Sequence, residues 1–157
     1  MIRIKSTIGI ILIALLTLTF NSCQKDEEEN PDYVGTWVNE EVDSSWGDPV
    51  TVITTLVLTK STFEMTMTVD FGYAIMTMAG MRGSLSVSEN QFTITPNSIG
   101  FADYETGTLV WVNQGEEGWD EALAEVEMDE SETATYSVEG NELTITMEGD
   151  DQVFTRQ

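Results

Sequence analysis

Side chains able to do chemistry are unevenly represented in this chain. It has no His and one Cys, Cys23, against 28 Asp and Glu and only 6 Lys and Arg, a formal net charge of −22 over 157 residues. Without His, neither a Ser-His-Asp nor a Cys-His nucleophilic site can be built, and a His-ligated zinc site is excluded. A lone Cys cannot close an intramolecular disulfide, so the fold must stand on its hydrophobic core. Two carboxylate chemistries are worth weighing. Paired acids perform glycoside hydrolysis, and Asp43, Asp48, Asp103, Glu105, Asp120 and Glu121 flank predicted loops. No spacing singles out a pair, and solvated surface charge is the expected role of such acids. Asp129-Glu130-Ser131-Glu132 and Gly149-Asp150-Asp151 offer oxygen atoms for Ca²⁺, but neither has the spaced loop of an EF-hand. These residues point to a protein that is not an enzyme and takes no cofactor or metal. The excess of acids also argues against nucleic acid as a partner and against electrostatic adhesion to anionic membranes. Its expected effect is solubility and colloidal repulsion.

Cys23 gains meaning from what precedes it. Met1 to Lys5 carries Arg3 and Lys5, Ile8 to Phe20 is an apolar run broken only by Gly9, Thr17 and Thr19, and Asn21-Ser22-Cys23 follows. This is the basic, apolar and small-residue order of an export signal. The run is shorter than the roughly 20 apolar residues a helix needs to span a bilayer. Phe20-Asn21-Ser22-Cys23 resembles a bacterial lipobox, which implies cleavage before Cys23 and lipidation of its thiol. Several acyl chains, at ~0.8 kcal/mol for each buried CH₂, make such anchoring stable. Gln24 to Glu29 resembles the export signal of Bacteroidota lipoproteins, which implies the outer face of the outer membrane. The same composition predicts a solvated tether, ended by Asn30-Pro31. The expected organisation is a signal peptide over 1–22, a lipidated acidic tether over 23–32 and one folded domain over 33–157.

That domain has the period of β-structure. Phe63, Met65, Met67 and Val69 alternate with Thr62, Glu64, Thr66 and Thr68; Val50, Val52, Leu56 and Leu58 share a face; Leu85 and Val87 alternate with serines. Tyr136 with Val138, and Leu143 with Ile145 and Met147, repeat the pattern. Turns are predicted at Thr59-Lys60-Ser61, Asp70-Phe71-Gly72, Gly140-Asn141 and Gly149-Asp150-Asp151. Ser84–Thr95 echoes Thr135–Thr146, two strand–turn–strand units meeting the same pleat and turn demands. Near 119–128, Trp119, Ala122, Leu123 and Val126 have helical spacing, so one short helix is expected there. Trp46, Phe101, Tyr104 and Trp119 fall in predicted loops, where exposed aromatics could anchor a partner.

Val34-Gly35-Thr36-Trp37 opens the domain and Val153-Phe154-Thr155-Arg156 closes it. The first resembles the Gly-x-Trp of lipocalins, and the last strand of that family carries an Arg that packs over the Trp. The stretch Tyr33–Gln157 is similar to lipocalin-like domains of Bacteroidota lipoproteins, whose tail is matched by Tyr136-Ser-Val-Glu-Gly140-Asn141-Glu-Leu143-Thr144 and then Phe154-Thr-Arg156. The chain departs from lipocalins in having no disulfide and no Thr-Asp-Tyr motif. The resemblance implies an all-β, antiparallel up-and-down barrel of about 8–10 strands, with Gly35, Trp37 and Arg156 as its structural motif. A small barrel can hold one apolar ligand, and Met65, Met67, Met76, Met78, Phe92, Trp111 and Tyr136 are the candidate lining residues. The same residues could simply fill the core. The expected function is therefore a cell-surface lipoprotein, anchored to the outer membrane through Cys23, that binds a small apolar ligand non-catalytically. The alternative is an interaction or accessory subunit of an outer-membrane complex with a filled barrel.

Overall fold

The computed structural model describes residues 30–45 and 47–157; the expected signal peptide, Cys23, the acidic run and Trp46 lie outside the described residues. Nine strands and one helix follow in order: β1 (Gly35–Asp43), β2 (Val50–Leu58), β3 (Thr62–Asp70), β4 (Ile75–Ser88), β5 (Gln91–Asp103), β6 (Thr108–Asn113), α1 (Trp119–Glu125), β7 (Glu132–Glu139), β8 (Glu142–Met147) and β9 (Asp150–Arg156). The helix is shorter than its sequence spacing suggests. Val126 caps it and Glu127 takes a positive φ of 53°, which ends the turn.

Every strand pairs antiparallel with its neighbours, and eight of them close into an up-and-down, lipocalin-like barrel. The circuit runs β1 to β5, then β7, β8 and β9, and closes where Trp37 faces Arg156 and Val38 faces Thr155. Closure removes the exposed strand edges that invite aggregation. The alternation in the sequence decides which face points inward. Leu56 and Leu58, Phe63 and Met65, Met81, Leu85, Phe92, Ile99, Ala134, Leu143, Ile145 and Phe154 join one core. The threonines of β3 and the serines of β4 occupy the alternate, outward register positions.

β6 lies outside this circuit. The long strand β5 pairs with β4 from Gln91 to Phe101, while its other edge is shared: Gln91–Ile94 face β7 and Ser98–Asp103 face β6. Pro96 stands at the fork. A proline has no N–H to give to a ladder, so a central strand admits it only where pairing lapses. Next to Pro96, β5 is bulged: Asn97 is the extra residue opposite Arg82 and Gly83 of β4. A Cβ at Gly83 would fall 2.1 Å from the Thr95 carbonyl oxygen, so only glycine lets the two strands cross there.

Strand directions define two ends. The turns β2–β3, β4–β5 and β7–β8 lie at the end where β1 starts and β9 finishes, the floor. The connections β1–β2, β3–β4, β5–β6 and β8–β9 lie at the other end, the mouth. The chain between β6 and β7 leaves the wall at the fork and folds back. Trp119, Ala122 and Leu123 of α1 are buried in the same core as the strands. Trp119 and Phe101 are therefore not free loop aromatics: Phe101 is a β5 residue packed against the core.

Candidate functional site

The floor is built by a short segment ahead of β1. A turn in which the Val34 N–H donates to Pro31 O carries Tyr33 under the barrel. Its ring meets Phe92 on β5 edge-on at 5.4 Å and Tyr136 on β7 at 5.6 Å, while Phe92 and Tyr136 stack at 3.9 Å. β5 and β7 stand across the barrel from β1, so this segment crosses the floor. Trp37 is fully buried, and its indole N–H donates to Tyr33 O at 2.8 Å. The Arg156 guanidinium lies over the Trp37 ring, 4.2 Å from its centre, and donates to the carbonyls of Val34, at 3.1 Å, and Asp32. Gly35 completes the arrangement, because a Cβ there would come within 3.0 Å of Arg156 Nη1. Gly35, Trp37 and Arg156 thus meet in space. Tyr33, which the sequence patterns left unassigned, is the fourth member; its place beside the Gly-x-Trp was the available signal.

The seven candidate lining residues do not converge on one cavity. Phe92 and Tyr136 belong to the aromatic floor. Met65 packs against the core in mid-barrel. Met67 shares its face but is 37% exposed, and Met76 is half-buried opposite Val69. Met78 is the extra residue of a bulge opposite Met67 and Thr68. Trp111 lies on the outer wall. Its ring covers Gly80 and Gly100, with a Cβ on either approaching within 2.9–3.0 Å of it, and the Arg82 guanidinium sits 4.4 Å from the ring centre. The paired glycines on β4 and β5 were the signal for that packing. Two open depressions, of about 350 and 380 Å³, also lie on the outer wall. One follows the β1–β9 seam past Val38, Asn39 and Val153, where Asn39 Nδ2 donates across to Val153 O at 2.9 Å. The other lies between Glu64 and Arg82.

The carboxylates serve turns. Asp103 accepts from the Glu105 N–H at 2.8 Å, and this bond, helped by Thr106, holds its carboxyl below the ordinary carboxylate value. Glu116 is lowered in the same way by the backbone and side-chain N–H groups of Asn113, at 2.9 and 3.1 Å. Glu132 accepts from the Asp129 N–H and Asp151 from the Thr146 hydroxyl. Among the described residues no three acids come together to hold a metal ion, and no buried side-chain N or O atom lacks a hydrogen-bond partner. Among them, too, no helix is long and apolar enough to cross a membrane.

No protein-family model matches this chain, and comparison with curated proteins finds no match.

The mouth has a different chemistry. Val42 at the end of β1, Tyr73 and Ile75 at the β3–β4 turn, Tyr104 at the β5–β6 turn and Val110 on β6 are all more than half exposed, Tyr73 reaching 88%. Tyr104 is the one aromatic of the four expected in loops that stands free at a described turn, 71% exposed. The others escaped sequence reasoning because strand alternation gives no sign of which strand ends meet.

Proposed function

We propose that this protein is a non-catalytic lipoprotein of the bacterial outer surface, held by acyl chains on Cys23, whose barrel is a packed scaffold that presents its surface to a protein partner. The observation that carries this reading is the filling of the barrel. The apolar residues of α1 join the strand residues in one core, and the aromatic cluster of Tyr33, Phe92 and Tyr136 closes the floor. Interior positions of small barrels are commonly filled in this way. Crosslinking and affinity capture from intact cells should yield a defined protein partner. Labelling with a radioactive fatty acid should mark the wild type and leave Cys23→Ala unlabelled. An unlabelled wild type would remove the anchor from this reading.

A second reading rests on Met67. Its exposure on the inward face, with Met76 and Met78 half-buried nearby, supports a small apolar ligand entering at the mouth. Methionines suit adaptable apolar sites. Titration with a fluorescent fatty acid separates the two readings: saturable binding that Met67→Lys abolishes supports the ligand, and no uptake supports the packed scaffold.

A further inference from the structure

The exposed apolar side chains gather at the mouth. Val42, Ile75 and Val110 come from three different strands and Tyr73 and Tyr104 from two turns, yet strand direction brings them all to the same end. Single exposed apolar residues need no explanation; a gathering of large ones marks an interaction site. Tyr73 and Tyr104 suit an anchor role, since each offers a rigid apolar ring with a polar tip.

The charge at this end states what kind of surface could cover them. The mouth connections and the strand ends beside them carry Asp43, Asp48, Asp70, Asp103, Glu105 and Asp150. The described bases are Lys60 at a floor turn, Arg82 in mid-wall and Arg156 at the floor. None of them is at the mouth. A second copy docking mouth to mouth would bring two acidic rims together, and phosphate-bearing polymers or anionic lipid would be repelled likewise. A cationic surface with apolar side chains satisfies both features: it places its bases among the acids and its apolar groups on the tyrosines.

We propose that the mouth of the barrel is the docking surface for a basic protein segment in which Lys or Arg alternates with apolar side chains. This rests on the packed-scaffold reading and adds the place and chemistry of the contact. The acids set the encounter rate and its salt dependence, and the desolvated apolar tips set the residence time.

The test uses the purified full chain and a short synthetic peptide of alternating Arg and Leu, with two control peptides carrying Glu for Arg or Ser for Leu. The expected result is salt-sensitive binding to the Arg-Leu peptide, weaker binding to the Arg-Ser peptide and none to the Glu-Leu peptide. The pair Tyr73→Ser/Tyr104→Ser, and separately Asp48→Lys/Glu105→Lys, should each weaken binding by about tenfold or more. The floor pair Glu139→Lys/Glu142→Lys removes the same charge from the other end and should change affinity by no more than about twofold. All of these positions are exposed, and an unchanged melting temperature for each variant confirms that the barrel is intact. Equal losses from mouth and floor variants would overturn the proposal, because they would report net charge alone. Binding that ignores salt, or that a neutral glycan displaces, would overturn it as well. Saturable uptake of a fluorescent fatty acid would instead strike the packed scaffold and leave the peptide result to stand by itself.

Discussion

Arg156 makes three contacts with one guanidinium: the Trp37 ring, the Val34 carbonyl and the Asp32 carbonyl. It therefore fastens the floor segment to the last strand and roofs the buried indole. A guanidinium over an indole contributes about 0.5–2 kcal/mol, more when desolvated, and each hydrogen bond to it adds a comparable amount. Trp37→Ala should cost about 3–5 kcal/mol, as large aromatic truncations in cores do. Arg156→Ala should cost about 1–3 kcal/mol. Removing both should cost less than the sum by about 0.5–3 kcal/mol, the coupling expected of residues in contact. Urea unfolding of the four proteins measures this, and additive losses would refute the pairing. Tyr136 offers a second prediction at this scale. Burial first, then the charge of Asp32 and the neighbouring Tyr33, hold its phenol above its ordinary value. A group raised in the folded state binds its proton more tightly there than in the unfolded chain. Its contribution is complete below the ordinary tyrosine value of about 10 and is lost as pH rises through the raised one. The melting temperature should fall across that alkaline range, and Tyr136→Phe should make the fall shallower. An identical alkaline fall in both proteins would mean that Tyr136 is not its source.

The strand–turn–strand echo in the sequence becomes two hairpins with the same construction. Glu89 opens the β4–β5 turn at φ 54°, and Gly140 opens the β7–β8 turn at φ 64°. The Asn90 carbonyl accepts the Tyr136 N–H at 2.8 Å, and the Asn141 carbonyl accepts the Arg156 N–H at 2.8 Å. Each turn thus stitches its hairpin to the next strand of the barrel at the floor. Only one of the two uses the residue that this backbone favours, since a left-handed φ is costly for any side chain and free for glycine. Glu89→Gly should therefore raise stability by about 0.5–1 kcal/mol despite the added chain entropy. Thermal or urea unfolding checks this, and a loss of stability would show that Glu89 makes a contact worth more than the backbone relief. These hairpins were legible in the sequence because their signals are local: alternating Ser or Thr against apolar residues, then turn residues. The fork at Pro96 was not, because a proline in a strand names a pairing gap without naming the strands on either side. Trp111 was misleading for a related reason. Leu109-Val110-Trp111-Val112 is apolar at every position, so no polar face marks the outside. Only pairing of Trp111 with Gly100 and of Val112 with buried Ile99 assigns the ring to the outer wall.

Charge is the property of the whole molecule that composition discloses and topology redistributes. The net −22 is plain from counting residues, but the gathering of acids without bases at the mouth depends on which turns share an end. The exclusion of His chemistry was likewise plain, whereas the floor needed the folded chain: Tyr33 and Tyr136 are far apart in sequence and touch only because the segment before β1 crosses the barrel. The same global charge governs the response to salt. Carboxylates crowded on a small surface repel one another, and the repulsion is larger in the compact state than in the expanded chain. Screening lengths fall from about 30 Å at 0.01 M ionic strength to about 8 Å at 0.15 M, so salt relieves the folded state more than the unfolded one. Ion pairs respond in the opposite sense, but so few bases leave little for salt to weaken. Sodium chloride over this range should raise the melting temperature, with about 2–8 °C for each kcal/mol relieved. Sodium chloride is preferred to sulfate, which strengthens apolar burial by exclusion and would confound the reading. A melting temperature that stays level or falls would mean that the acids are paired in the fold rather than mutually repelling. The Asp48→Lys/Glu105→Lys variant sharpens the test: it removes negative charge from the mouth, so its melting temperature at low salt should already lie closer to the high-salt value.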